Sequence, residues 1–195
     1  AGVRDGHGHT LVMKAAQGGH EAVARALLKH TGLALVDAVN ARGQTALMLA
    51  AEREGTVAAA KVLLARRASV NVQDRQGETA LFKAVAHANA PLVRLLLAKG
   101  ALAALPDKHG TLPLRRAAME GQRELVSVLV SRQPRLSAWE LLGELAAAPE
   151  EAEHLRRRFT AASPDRPHPP ALETGSLLAW IHRDEEEMLE VWEEG

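Results

Sequence analysis

The stretch Gly43-Gln-Thr-Ala-Leu-Met-Leu-Ala-Ala51 decides the fold, because the chain spells it four times in variant form. Gly8-His-Thr-Leu-Val-Met-Lys-Ala-Ala16 precedes it, and Gly77-Glu-Thr-Ala-Leu-Phe-Lys-Ala-Val85 and Gly110-Thr-Leu-Pro-Leu-Arg-Arg-Ala-Ala118 follow. From Gly8 to Gly43, Gly43 to Gly77 and Gly77 to Gly110 the steps are 35, 34 and 33 residues. Three residues before each glycine stands Asp5, Asn40, Asp74 or Asp107. An apolar pair closes each block: Leu27-Leu28, Leu63-Leu64, Leu96-Leu97 and Leu129-Val130. A fixed period of this size marks a repeat architecture whose unit is one supersecondary element.

Each part of the unit has a physical reading. In Asp/Asn-x-x-Gly a short side-chain oxygen can accept from a nearby backbone N–H and glycine tolerates positive φ, so the segment reads as a tight hairpin turn. Thr10, Thr45 and Thr79 then stand where a helix N-cap belongs. The small pairs Ala15-Ala16, Ala50-Ala51 and Ala117-Ala118 let a short first helix lie close against its neighbours. A second helix carries apolar residues at helical spacing, as in Val23/Leu27, Leu92/Leu95/Leu96 and Leu125/Val128/Leu129. Neither helix can bury its face alone, so the units must stack. The two extra residues of the first unit, around Thr31–Asp37, and the one of the second, near Gly55–Ala59, are expected in turns, where insertions cost least. Apolar Leu11, Val12 and Met13 in the first unit point to further repeats ahead of Ala1.

This pattern resembles the ankyrin repeat, a turn followed by two antiparallel helices with a period of about 33 residues. The likeness covers residues 3–133 as four units, about 3–36, 38–71, 72–104 and 105–133. The family's Thr-Pro-Leu-His signature survives in pieces: Thr recurs three times, Pro once as Pro113, and the His position holds Met13, Met48, Phe82 and Arg115. The resemblance implies an all-α solenoid of helix pairs with short hairpin turns. It also implies a concave binding face built from the turns and first helices. Carried over position by position, that face holds His7, His9 and Gln17, then Arg42, Gln44, Glu52 and Arg53, then Arg75, Gln76, Glu78 and His87, then Lys108, His109, Met119 and Glu120. These positions are expected to be exposed. Arginine is enriched where interfaces concentrate their energy, which makes Arg42, Arg53 and Arg75 the preferred anchors.

Composition and motifs exclude much else. The 195 residues include no Cys and no Tyr, two Phe and three Trp, which disfavours an aromatic-rich β-sandwich and removes thiol catalysis, disulfides and Cys-based metal sites together. Nine His invite a metal, yet His7, His9, His20 and His30 lack acidic companions at ligand spacing and HExxH is absent, so no metal and no cofactor is assigned. No phosphate-binding glycine loop and no GxSxG exists. With no nucleophile–base pair in view, an enzyme is not expected. No apolar run reaches the ~18 residues of a membrane span and no signal peptide is evident, so a cytoplasmic or nuclear protein is expected.

Beyond Gln133-Pro134 the pattern changes. Residues 134–160 read as C-terminal capping helices, one opened by the capping box Ser137–Glu140 and another by Pro149, which would cover the open end of the stack. The span 161–175 is a Pro-rich linker, with four prolines between Ser163 and Pro170. Residues 176–195 read as an acidic amphipathic helix with the stripe Leu177, Ile181, Met188 and Trp192. Residues 171–195 carry eight acids against Arg183, a net of −7, which leaves +7 on residues 1–170 of a chain with zero net charge. The acidic helix is therefore expected to dock on the chain's own body or on a partner. Ala138-Trp-Glu-Leu-Leu-Gly143, after the last unit, is similar to the junction helix of the Fem family of cullin-RING ubiquitin-ligase substrate receptors, and Leu178, Ile181 and Asp184 to a later stretch of it. The expected function is a noncatalytic module that binds a protein or peptide on the concave face. The alternatives are a Fem-like substrate-receptor fragment and a sensor of small molecules or oligonucleotides. Nucleic acid is disfavoured, Arg156-Arg157-Arg158 notwithstanding, because the repeats lack aromatic platforms for bases.

Overall fold

Every unit of the fold opens with the same turn. In Asp5, Asn40, Asp74 and Asp107 one side-chain oxygen, Oδ1, accepts from the backbone N–H groups two and four residues on, at 2.8–3.0 Å. Gly8, Gly43, Gly77 and Gly110 donate back to the carbonyls of these residues at 2.9–3.0 Å. Their φ angles lie between +75° and +78°, the left-handed region where a side chain would clash with its own backbone. The turns also bond to one another: Ala41 N–H donates to His7 O, Arg75 N–H to Arg42 O and Lys108 N–H to Gln76 O, at 2.8–3.1 Å. A Cβ on Gly77 would stand 2.6 Å from the Lys108 nitrogen, so this glycine also serves the close approach of the next turn.

The structure is a computed structural model and describes residues 3–31 and 35–130. The described residues form eight helices: α1 Leu11–Gln17, α2 Glu21–Thr31, α3 Ala46–Ala51, α4 Val57–Ala65, α5 Ala80–Ala86, α6 Ala90–Ala98, α7 Pro113–Met119 and α8 Arg123–Val130. They contain no strand, only one isolated antiparallel bridge between Arg4 and Thr10. The three threonines cap as the sequence predicts. Thr10, Thr45 and Thr79 Oγ1 accept from Met13, Met48 and Phe82 N–H at 3.1–3.3 Å. In α1 and α3 the methionine thioether takes the place of the usual Glu, its Sδ receiving the threonine N–H at 3.4 Å. At α7 Leu112 offers no hydroxyl, and Pro113 pre-sets the first turn instead.

Two rows of helices result. In one, α1, α3, α5 and α7 pack in succession; in the other α2, α4 and α6 do. Ala16, Ala50, Ala51, Ala84 and Ala117 are fully buried and let the first-helix row close up. Leu47, Leu63, Leu81, Leu92, Leu96 and Leu114 fill the space between the rows. One apolar expectation is corrected: Val23 is 50% exposed, whereas Ala59 and Leu92 at the same register in the next two units are buried. Leu11 likewise is 56% exposed, where its counterparts Ala46 and Ala80 are buried. The preceding unit covers these positions in the second and third repeats, and no described residue does so in the first.

The extra residue of the second unit lies in the turn between α3 and α4. That turn runs from Glu52 to Thr56, against three residues between α1 and α2 and between α5 and α6. The expectation for the first unit is corrected: its two extra residues lengthen α2 itself, eleven residues against nine in α4 and α6, while the stretches from the ends of α2, α4 and α6 to Asn40, Asp74 and Asp107 are equally long. The chain divides into two compact units, Ala1–Val126 and Ser127–Gly195. The capping helices at 134–160, the Pro-rich linker, the acidic helix and both Fem-like segments lie outside the described residues.

Candidate functional site

Lys83 is the centre of the polar structure on the turn-and-first-helix face. It stands on α5, and the pleat of the Asp74 turn brings two carboxylates of its own unit onto its ammonium, with a third from the unit before. Nζ lies 2.7 Å from Glu78 Oε2, 3.1 Å from Asp74 Oδ2 and 3.3 Å from Glu52 Oε1. The side chain is almost wholly buried, as is that of Asp74. Burial by itself depresses the lysine's pKa, but the hydrogen bonds and charges of Glu78 and Asp74 outweigh it and hold the pKa above its ordinary value. The network continues into the second unit: Gln44 Nε2 donates to Glu52 Oε1 at 2.7 Å, and Asn40 Nδ2 donates to Gln44 Oε1 at 3.0 Å.

The pairing of turn acid with first-helix base is written into the repeat register. Lys14, Leu49, Lys83 and Arg116 share one position, six residues after the unit's glycine. In the first unit Lys14 Nζ binds Asp5 Oδ2 at 2.9 Å, and this hydrogen bond, with those from the His9 and His7 N–H groups, holds the Asp5 carboxyl well below the usual carboxylate range. In the second unit the base is replaced by Leu49, and the turn acid by neutral Asn40. Acid and base are thus present or absent together in the first three units, whereas in the fourth block Arg116 pairs with Glu120 at 2.6 Å.

Around Lys83 a recess of about 460 Å³ opens on the surface, lined by Ala41, Arg42, Gln44, Glu52, Asp74, Arg75, Gln76, Glu78 and Lys83. Six of the predicted contact residues converge here: Arg42, Gln44, Glu52, Arg75, Gln76 and Glu78. Gln44 is the exception to their expected exposure, at 5%, because both ends of its amide are tied into the network. Glu52 and Glu78 are half-buried for the same reason. Arg53 and His87 lie exposed beyond the C-terminal ends of α3 and α5, and Lys108, His109, Met119 and Glu120 are exposed on the fourth turn and α7, away from the recess. His7 is exposed, whereas His9 and Gln17 are half-buried, and His9 Nδ1 stands 3.3 Å from Asp5 Oδ2. Sequence reasoning missed Lys83 and treated Asp74 as a turn residue only. The signal was the recurring base six residues after the glycine.

Because Lys83 draws all three carboxylates, Arg42 and Arg75 on the rim are left exposed and form no ion pair with any described residue. Among the described residues no group of three His, Asp or Glu could hold a metal ion. A family model described as ankyrin repeats (3 copies) matches residues 1–74 and again 48–138. The chain belongs to the ankyrin-repeat family. Ankyrin repeats are generally protein–protein interaction modules and typically noncatalytic. No curated protein matches the sequence. Among the described residues no helix is long and apolar enough to cross a membrane.

Proposed function

We propose that this ankyrin stack binds a protein or peptide on the face formed by its turns and first helices, without catalysis, and that the fourth turn-and-helix block serves as a fourth repeat of that face. The recess around Lys83 is the centre of the contact, and Arg42 and Arg75 are its anchors. One observation carries the reading: the three carboxylates of the floor are engaged by Lys83, and the two guanidinium groups at the rim, exposed and without an ion pair to any described residue, stay available on that support. A guanidinium offers five donors in a planar fork and suits carboxylates and backbone carbonyls of a partner, and its stem packs on apolar groups. Gln76, exposed in the same recess, supplies an adaptable polar contact.

The test is capture of partners from lysate by the wild-type chain and by the double variant Arg42→Glu/Arg75→Glu, scored by quantitative mass spectrometry. Proteins held through this face should fall at least about ten-fold in the variant, the equivalent of roughly 1.4 kcal/mol. The thermal midpoint should stay put, since exposed substitutions usually cost less than about 0.5 kcal/mol. Equal capture by both chains would place binding elsewhere.

A further inference from the structure

The excess positive charge of the repeats is not spread evenly. The second-helix segments, residues 20–31, 57–67 and 90–100, hold seven Lys and Arg (Arg25, Lys29, Lys61, Arg66, Arg67, Arg94 and Lys99) and a single acid, Glu21. The turns and first helices of the same three units, residues 4–19, 40–54 and 74–88, hold six bases and five acids. Several of the outer cations have a local explanation. Lys29, Arg66, Arg67 and Lys99 sit at the C-terminal ends of α2, α4 and α6, where they meet the helix dipole, and Arg66 also donates from Nη1 to Leu28 O. Arg25, Lys61 and Arg94 have no such explanation. Each stands mid-helix, exposed, at one register: 17 residues after the unit glycine in the first and third units and 18 in the second, which has the extra turn residue.

These three side chains form a ladder with one rung per repeat. Arg25 shares Glu21 and Arg94 shares Glu124 in exposed pairs of the kind that solvent and salt readily exchange. Lys61, the middle rung, has no ion pair among the described residues. Beside it a groove of about 530 Å³ is lined by residues of α2 and α4, with Ala58, Val62 and Ala65 as its apolar floor and Arg25, Lys61 and Arg66 as its walls, together with Glu21, the one acid there, which Arg25 engages.

We infer that this outer face binds an acidic, proline-rich protein segment in the polyproline II conformation, with a carboxylate at every third residue. Packed helices stand about 8–10 Å apart. A polyproline II strand returns to the same face every three residues with a rise of about 3.1 Å each, which is about 9 Å per turn. Carboxylates at positions i, i+3 and i+6 therefore meet Arg25, Lys61 and Arg94 in succession, and prolines between them lie on the apolar floor. A regular β-strand does not match, because residues three apart point to opposite faces. Nucleic acid fits less well, since the described part of this face presents no aromatic ring on which a base could stack. An anionic membrane fits less well too, since Val23 is the one large apolar side chain exposed among the described residues of α2, α4 and α6.

The experiment titrates the full chain with labelled (Glu-Pro-Pro)3 and with Glu-Glu-Glu-(Pro)6, the same composition out of register, by fluorescence anisotropy at low and physiological salt. The in-register peptide should bind at least about ten-fold more tightly. Lys61→Glu should abolish that preference, and Arg42→Glu/Arg75→Glu should leave it unchanged, which separates this face from the one proposed above. Equal affinity for the two peptides, no binding of either, or indifference to Lys61→Glu overturns the inference. So does tighter binding to a single-stranded oligonucleotide or to phosphatidylserine vesicles than to (Glu-Pro-Pro)3.

Discussion

Ala88 shows how closely one residue can be judged against those at matching positions of the chain. In the turn between first and second helix, Gly19, Ala88 and Gly121 occupy one position. Each donates its N–H to the carbonyl three residues back, and the following residue donates to the carbonyl five residues before it. All three have left-handed φ, +70°, +51° and +66°. Two units meet this demand with glycine and the third with alanine, whose Cβ is strained there by roughly 1–2 kcal/mol. Ala88→Gly should therefore stabilise the protein by about 0.5–1 kcal/mol, the strain relieved less the extra freedom glycine gives the unfolded chain. Ala88 is exposed, so no packing is lost. A urea titration should show a higher midpoint at unchanged slope, and a lower midpoint would mean that the turn is held by something other than backbone conformation.

At the scale of the element, α4 shows why no helix of the stack is self-sufficient. Its nine residues are apolar on most sides, and it packs on α2 and α3 and, less extensively, on α1 and α6. Its N-cap Thr56 does not cap it at all: the hydroxyl lies 2.6 Å from Ala50 O and 2.8 Å from Arg53 O and fastens the preceding turn instead. The helix thus depends on tertiary burial more than on its own ends. Leu63, fully buried between the rows, carries that burial, whereas adjacent Leu64 is half-exposed. Leu63→Ala should cost about 2–5 kcal/mol through the cavity it leaves. Leu64→Ala should cost clearly less, both read from urea midpoints. Equal costs would mean that α4 is rotated about its axis from the position described.

Across the whole molecule, stability in a repeat protein is a sum of unit terms and nearest-neighbour terms, and Lys83 contributes to a neighbour term. It joins Glu52 of the second unit to Asp74 and Glu78 of the third. Its pKa is raised on folding, so its contribution is complete below the ordinary value of 10.5 and is lost as pH rises above that, through the folded value. No Tyr or Cys titrates alongside it. Thermal midpoints should therefore fall steeply above about pH 10.5 in the wild type and less steeply in Lys83→Met. At neutral pH the variant should lose about 3–5 kcal/mol, because three carboxylates are left without their cation, and mild acid should restore part of it. If the variant keeps the wild-type alkaline slope, the bridge contributes nothing to folding.

How much of this could be read from the residues alone differs from feature to feature. Thr10, Thr45 and Thr79, the four Asx turns and the helix pairs follow from local chemistry: a side-chain oxygen reaching N–H groups two to four residues away is settled within one turn of chain. The apolar stripe was legible at Leu92 and Leu96, which are buried, and less so at half-buried Leu95, and it misled at Val23, where burial depends on a neighbour rather than on the helix's own pattern. The recess was legible as a set of positions on one face. Its organisation was not, since a charge at Lys83 and one at Glu52 stand 31 residues apart and become partners only when two repeats stack. The same stacking decided which arginines stay unpaired. The sequence by itself determined the repeating unit, because each unit's turn and caps are short-range contacts. Only the tertiary structure decided that the charge network spans two units and which groups it leaves facing solvent, because Glu52 meets Lys83 only across the seam between stacked units.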